Sequence, residues 1–151
     1  MEDVTSTFNS EKRLGKNMAT ATETVKAFCV QFSKSKFGMH EAIRAYFTPK
    51  TLWENVGLAV TTGIDDALGV LAQFDQAMGI DAIDIEMLAI AADGDRVLTE
   101  RIDHLRRADG LEGWDPRVMG IFEIEDGRIR AWRDYFDSAK AQSLANAGGA
   151  L

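Results

Sequence analysis

From Asp81 to Tyr135 the chain abandons helical spacing for alternation and doubles back at tight glycine turns. Asp81 to Ala91 alternates, with Ile83, Ile85, Met87 and Ala89 on one side. Asp93-Gly94 follows, a pair that tolerates the positive φ of a short hairpin. Val97 to Arg106 is the next alternating run. A loop through Ala108-Asp109-Gly110 to Asp115-Pro116 leads to a third run, Val118 to Ile124. Asp126-Gly127 is a second hairpin turn, and Arg128 to Tyr135 is the fourth run. Four strands joined this way make an antiparallel meander, whose apolar face must be covered by something else in the chain.

The cover comes from the first half. Thr20-x-x-Glu23 is a capping box, in which side chain and backbone satisfy each other's free N–H groups, so a helix should follow. Val25, Phe28, Cys29 and Phe32 then recur at helical spacing and form one apolar stripe. A second helix is expected over His40 to Phe47, with Ile43, Tyr46 and Phe47 inward and Pro49 beyond its end. Thr51 to Val56 reads as a short strand with Trp53 and Asn55 on one face. Gly57 and Thr61-Thr62-Gly63 read as a turn-rich loop. A third helix should span Ile64 to Met78, with Leu68, Leu71 and Phe74 or Asp75 in its stripe, and Gly79 stops it. Ser138 to Asn146 suits a short closing helix. The expected class is α+β: a curved, mostly antiparallel sheet with helices on one face, forming a cone with an internal pocket. Residues 1–19 read as a flexible arm, 20–147 as a single domain and 148–151 as a loose tail.

A chain of 151 residues supports one domain with a real core. Its net charge of -7 argues against nucleic acid and anionic membrane surfaces as partners. Cys29 is the one cysteine, so no internal disulfide forms, which suits a reducing, cytoplasmic setting. It reads as a core residue and not a nucleophile, because no activating cation stands beside it in the sequence. Glu2 and Asp3 open a polar start unlike a secretory leader. No run approaches the roughly 20 apolar residues of a membrane span. No Cys/His cluster has metal spacing and no glycine-rich phosphate loop follows a strand, so neither metal nor nucleotide cofactor is expected.

The chemistry concentrates in two strands. In Leu98-Thr99-Glu100-Arg101-Ile102-Asp103, period two sends Thr99, Arg101, Asp103 and then Leu105 to one face. In Ala131 to Phe136 it places Asp134 between Trp132 and Phe136. His104 points the other way, out of any pocket these residues form. If the two faces meet, the core holds two carboxylates around one guanidinium. Such a cluster is costly to bury unless every charge is paired. Three readings stand open: solvated strand charges, a structural ion pair, or an acid/base pair with one carboxyl protonated and the other ionised.

The segments Trp53-Glu54-Asn55-Val56-Gly57, Leu98-Thr99-Glu100-Arg101-Ile102-Asp103 and Gly120-Ile121-Phe122 through Trp132-Arg133-Asp134-Tyr135-Phe136-Asp137 resemble the limonene-1,2-epoxide hydrolase family. These are small enzymes of the cone fold shared with nuclear transport factor and ketosteroid isomerase. The resemblance runs from about Thr20 to Asp137. It implies a cofactor-free epoxide hydrolase acting on a lipophilic, terpene-like or steroid-like epoxide to give a vicinal diol. By that resemblance Asp103 protonates the epoxide oxygen, Asp134 takes a proton from water, Arg101 bridges them and Asn55 orients the water. Trp53, Leu105 and Phe136 would contact substrate, and the family expectation for assembly is a homodimer through the outer sheet face. Where the family's limonene enzyme has a tyrosine, this chain has Trp53. An indole can donate but not accept, which implies either one water contact fewer or a reshaped pocket. Two rival activities fit the same scaffold: an isomerase or cyclase, which needs a lone Asp base and an oxyanion donor, and a non-catalytic small-ligand binding protein.

Overall fold

In a computed structural model the described residues are 19–147. The arm expected over 1–19, Ala19 apart, and the tail at 148–151 lie outside them. The chain runs α1 (Ala21–Phe32), α2 (Lys36–Tyr46), β1 (Phe47–Asn55), β2 (Ala59–Thr62), α3 (Ile64–Met78), β3 (Ile80–Asp93), β4 (Arg96–Arg107), β5 (Arg117–Glu125), β6 (Arg128–Tyr135) and α4 (Ser138–Ala147). The six strands form one sheet in the order β2-β1-β6-β5-β4-β3. The meander is there as expected, and the class is α+β.

The local rules act where they were read. Thr20 accepts from the Glu23 N–H while Glu23 reaches back to the Thr20 N–H, closing the capping box of α1. Val25, Phe28, Cys29 and Phe32 are all buried. Gly79 ends α3 in the left-handed conformation, at φ 69°. The Asp126-Gly127 turn takes φ 51° and 72°, the pair of positive angles that a two-residue hairpin requires.

Four expectations change. Helix α2 starts at Lys36, not His40, because Ser35 caps it by accepting from the Gly38 N–H at 2.9 Å. Gly38 looks like a breaker, yet a Cβ there would lie 2.9 Å from the Gln31 carbonyl oxygen and the Lys34 Cβ. Phe47 is fully buried, but as the first residue of β1 rather than in α2. Residues 59–62 are not loop but the edge strand β2, antiparallel to β1. In β3 the register shifts between Met87 and Ala89, so Ile90, not Ala89, packs against the core. A bulge of this kind adds one residue and reverses the alternation beyond it.

The helices cover the concave face, where Phe28, Phe32, Phe47, Trp53, Phe122 and Trp132 pack together. Trp132 is stacked between Trp53 (5.0 Å, 14°) and Phe122 (5.0 Å, 16°). Cys29 lies in this core, and burial pushes its thiol up to about 12, so it carries no thiolate. Among the described residues no helix is long and apolar enough to cross a membrane.

Candidate active site

Three strands build the polar centre of this apolar face. Arg101 and Asp103 come from β4 and Asp134 from β6, with β5 between them. The register places Gly120 of β5 directly between Thr99 and Asp134. A Cβ at Gly120 would stand 2.5 Å from Asp134 Oδ1 and 3.0 Å from Thr99 Oγ1, and closer still to Arg101 Nη1. The missing side chain is therefore the space through which the guanidinium of β4 reaches the carboxylate of β6.

Arg101 is fully buried, and all five of its N–H groups are matched. Nε donates to Asp103 Oδ1 at 3.0 Å and Nη2 to Asp103 Oδ2 at 2.8 Å. Nη1 donates to Asp134 Oδ1 at 3.0 Å, and Nη2 also donates to Asp134 Oδ2 at 2.8 Å. The fifth bond runs from Nη1 to Thr99 Oγ1 at 3.1 Å, and the Thr99 hydroxyl in turn donates to the Gly120 carbonyl oxygen at 3.2 Å. Burial alone would lower the guanidinium's pKa, but the two carboxylates outweigh it and hold it well above the ordinary value. The solvated reading of these charges is thereby excluded.

The two carboxylates differ. Asp134 takes a further bond, from Trp132 Nε1 to Oδ1 at 2.7 Å. Among the described residues its Oδ1 thus has two donors and Oδ2 one. Burial drives the Asp134 carboxyl above its usual range; the charge and N–H groups of Arg101 pull it back, Asp103 pushes it up and the Trp132 N–H pulls it down. Among the described residues each Asp103 oxygen accepts one bond, from Arg101. Asp134 thus has one N–H donor more than Asp103.

The parallel pairing of β1 with β6 brings the remaining groups. Trp53 stands opposite Trp132 and Asn55 opposite Asp134. Asn55, Asp103 and Asp134 share the wall of a cavity of about 60 Å³. Trp53, Leu105 and Phe136 line the same cavity, whereas Arg101 is fully buried and reaches it only through the two carboxylates it holds. A second cavity of about 440 Å³ adjoins it and shares Met78, Leu105 and Trp114 as walls. His104 is outside, bonded through Nδ1 to Asp115 Oδ1 at 2.6 Å. Sequence reasoning missed the parts played by Gly120 and by the Trp132 N–H. The Trp-x-Asp spacing within one strand was the available signal for the second.

Residues 19–144 match the family model of the limonene-1,2-epoxide hydrolase catalytic domain. The chain is 33% identical over 114 residues to epoxide hydrolase EphG of Mycobacterium tuberculosis, covering 75% of this chain and 70% of that protein. A solved M. tuberculosis epoxide hydrolase of this type superposes with a TM-score of 0.63 at 29% identity, over 85% of this chain and 90% of that one. A SnoaL-like polyketide cyclase structure from Jannaschia, 17% identical with a TM-score of 0.63 over 84% of this chain and 92% of that one, shares the fold. With a matching domain model across nearly all its described residues, the chain belongs to the limonene-1,2-epoxide hydrolase family.

Proposed function

We propose that this protein adds water to a lipophilic epoxide in one step and releases a vicinal diol. The observation that carries the reading is the pair of carboxylates held on one fully satisfied guanidinium at the edge of an apolar cavity. Protonated Asp103 gives its proton to the epoxide oxygen as the carbon–oxygen bond breaks. Ionised Asp134 takes a proton at Oδ2 from a water whose oxygen bonds to the ring carbon, and Asn55 orients that water. The diol leaves with both protons accounted for, and a proton passes from Asp134 back to Asp103 before the next turnover. Arg101 holds the two carboxylates at fixed separation and offsets their charge. A raised Asp134 makes a stronger base, and each positioned acid or base contributes roughly 10² to 10⁴ in rate. The chain's own side chains complete this cycle, with no step assigned to a cofactor.

The apolar wall of the cavity supports a lipophilic substrate. Ligand pockets usually enclose roughly 300–1,000 Å³, so the cavity of about 60 Å³ must widen for a terpene-sized molecule. Displacing Met78 and Trp114 would join it to the neighbouring cavity. The cyclase or isomerase reading asks for a lone Asp base, and the paired arrangement disfavours it. The outer sheet face leaves Leu52, Leu98, Met119 and Tyr135 about half exposed on β1, β4, β5 and β6, which supports pairing of two copies there. Incubating the protein with a panel of lipophilic epoxides should yield vicinal diols without added cofactor. Asp103→Asn and Asp134→Asn should each lose at least about a hundredfold of that rate while keeping the folded spectrum. Normal turnover by either variant, or no diol from any epoxide, defeats the reading.

A further inference from the structure

The cavity of about 60 Å³ and its neighbour of about 440 Å³ share Met78, Leu105 and Trp114 as walls. Leu105 lies within β4 and Met78 in the last turn of α3, so regular hydrogen bonding fixes both backbones. Trp114 is different. It follows the irregular segment 108–113, and its carbonyl accepts from the Leu105 N–H at 2.8 Å. Its ring is half-buried and meets Phe136 edge-on, at 6.5 Å and 71°. Gly113 lets the segment lie this close, since a Cβ there would run into the Leu105 carbonyl. That obstacle is backbone and cannot swing aside. Beyond Trp114 the outer cavity turns polar, with Gln76, Arg107 and Glu112 in its wall. Arg107 uses three of its five N–H groups, two on Asp109 and one on the Met78 carbonyl; two are unmatched among the described residues. Four residues separate it from Asp103 on the same face of β4, which places it about 13 Å along the strand.

We propose that Trp114 is a specificity-determining gate: swung aside, it joins the two cavities, and the outer one takes the body and uncharged polar end of an elongated epoxide. The proposal rests on the hydrolase reading above and names the shape and far-end chemistry of its substrate. The joined space falls within the roughly 300–1,000 Å³ usual for ligand pockets. Opening gives up the contact with Phe136, which lowers affinity by about two- to tenfold. A short epoxide gains nothing in return, whereas a long one meets the apolar wall around Ile80 and Leu144. At the far end, an oxygen acceptor fits the unmatched N–H groups of Arg107. A carboxylate does not, because Asp109 already sits on that guanidinium and Glu112 stands in the same wall. Binding so far from the reacting ring acts equally on ground and transition states and appears in KM.

The test uses terminal epoxides of graded length that end in a hydroxyl, a methyl or a carboxylate group. In the wild-type protein kcat/KM should peak where the hydroxyl lies about 13 Å from the ring. There the hydroxyl should be preferred over methyl by about two- to tenfold, mainly in KM, with the carboxylate no better than methyl. Arg107→Met should bring the hydroxyl preference close to unity. Trp114→Ala should raise the long-to-short ratio of kcat/KM by about two- to tenfold. Gly113→Ala, which lifts the gate, should move the ratio the same way; if it fails to fold, Trp114→Ala decides. The triol formed from the long hydroxy-epoxide should also shift the NMR signals of the Ile80 and Leu144 methyl groups, which line only the outer cavity, and a short diol should not. An unchanged ratio in Trp114→Ala, a hydroxyl preference that survives Arg107→Met, or hydrolysis of short epoxides alone overturns the proposal and leaves the hydrolase reading intact. If no epoxide gives diol, the hydrolase reading falls, and the methyl shifts alone decide whether the outer cavity takes such a ligand.

Discussion

Trp132→Phe removes one hydrogen bond from Asp134 and keeps an aromatic ring in place. The indole N–H lies 2.7 Å from Asp134 Oδ1, and the two residues are 2% and 4% exposed. A bond to a charged group in such surroundings contributes about 1.5–3 kcal/mol. It favours the ionised carboxylate, so its loss makes Asp134 hold its proton to higher pH. At 1.36 kcal/mol for each pH unit, the displacement is roughly one to two units upward. In the proposed mechanism Asp134 acts ionised, so the acid limb of kcat/KM should move up by that amount, while the rate at high pH falls much less. The assay is a pH–rate profile of both proteins on one epoxide, with near-ultraviolet circular dichroism confirming the fold. Removing half the indole also loosens the stack with Trp53 and Phe122. Stability should therefore fall by less than the ~3–5 kcal/mol typical of Trp→Ala. An acid limb that stays where it was in a folded Trp132→Phe protein refutes the reasoning.

Two further changes probe the same cluster. Gly120→Ala places a Cβ against Arg101, Asp134 and Thr99, so it should destabilise by about 3–5 kcal/mol through the broken buried pair and abolish activity, as denaturant unfolding and a diol assay would show. Arg101→Lys offers three donors where five are now matched; it should fold less stably than wild type but better than Arg101→Ala, with both variants losing most of their activity.

The polar face could be read from period two, because Thr99, Arg101 and Asp103 alternate within one strand and Trp132 and Asp134 within another. Distance along the chain hid the rest. Asn55 meets Asp134 only because β1 lies parallel beside β6, and no local pattern encodes a pairing between segments so far apart. Gly120 carries no side chain to signal a role; its importance appears only once β5 is seen between Arg101 and Asp134. β2 is four residues between turn-like neighbours, too short for alternation to show. The bulge past Met87 follows from packing against β4, not from composition. The start of α2 was obscured by Gly38, where close contact with α1 outweighs glycine's poor helix propensity.

The direct-water mechanism is tested most plainly by a single turnover in ¹⁸O-labelled water with protein in excess over epoxide. The account predicts that the first diol formed carries the heavy oxygen, and that peptides containing Asp103 and Asp134 remain unlabelled. A first-turnover diol with ordinary oxygen, or label appearing in either aspartate, would show a covalent ester intermediate and contradict it.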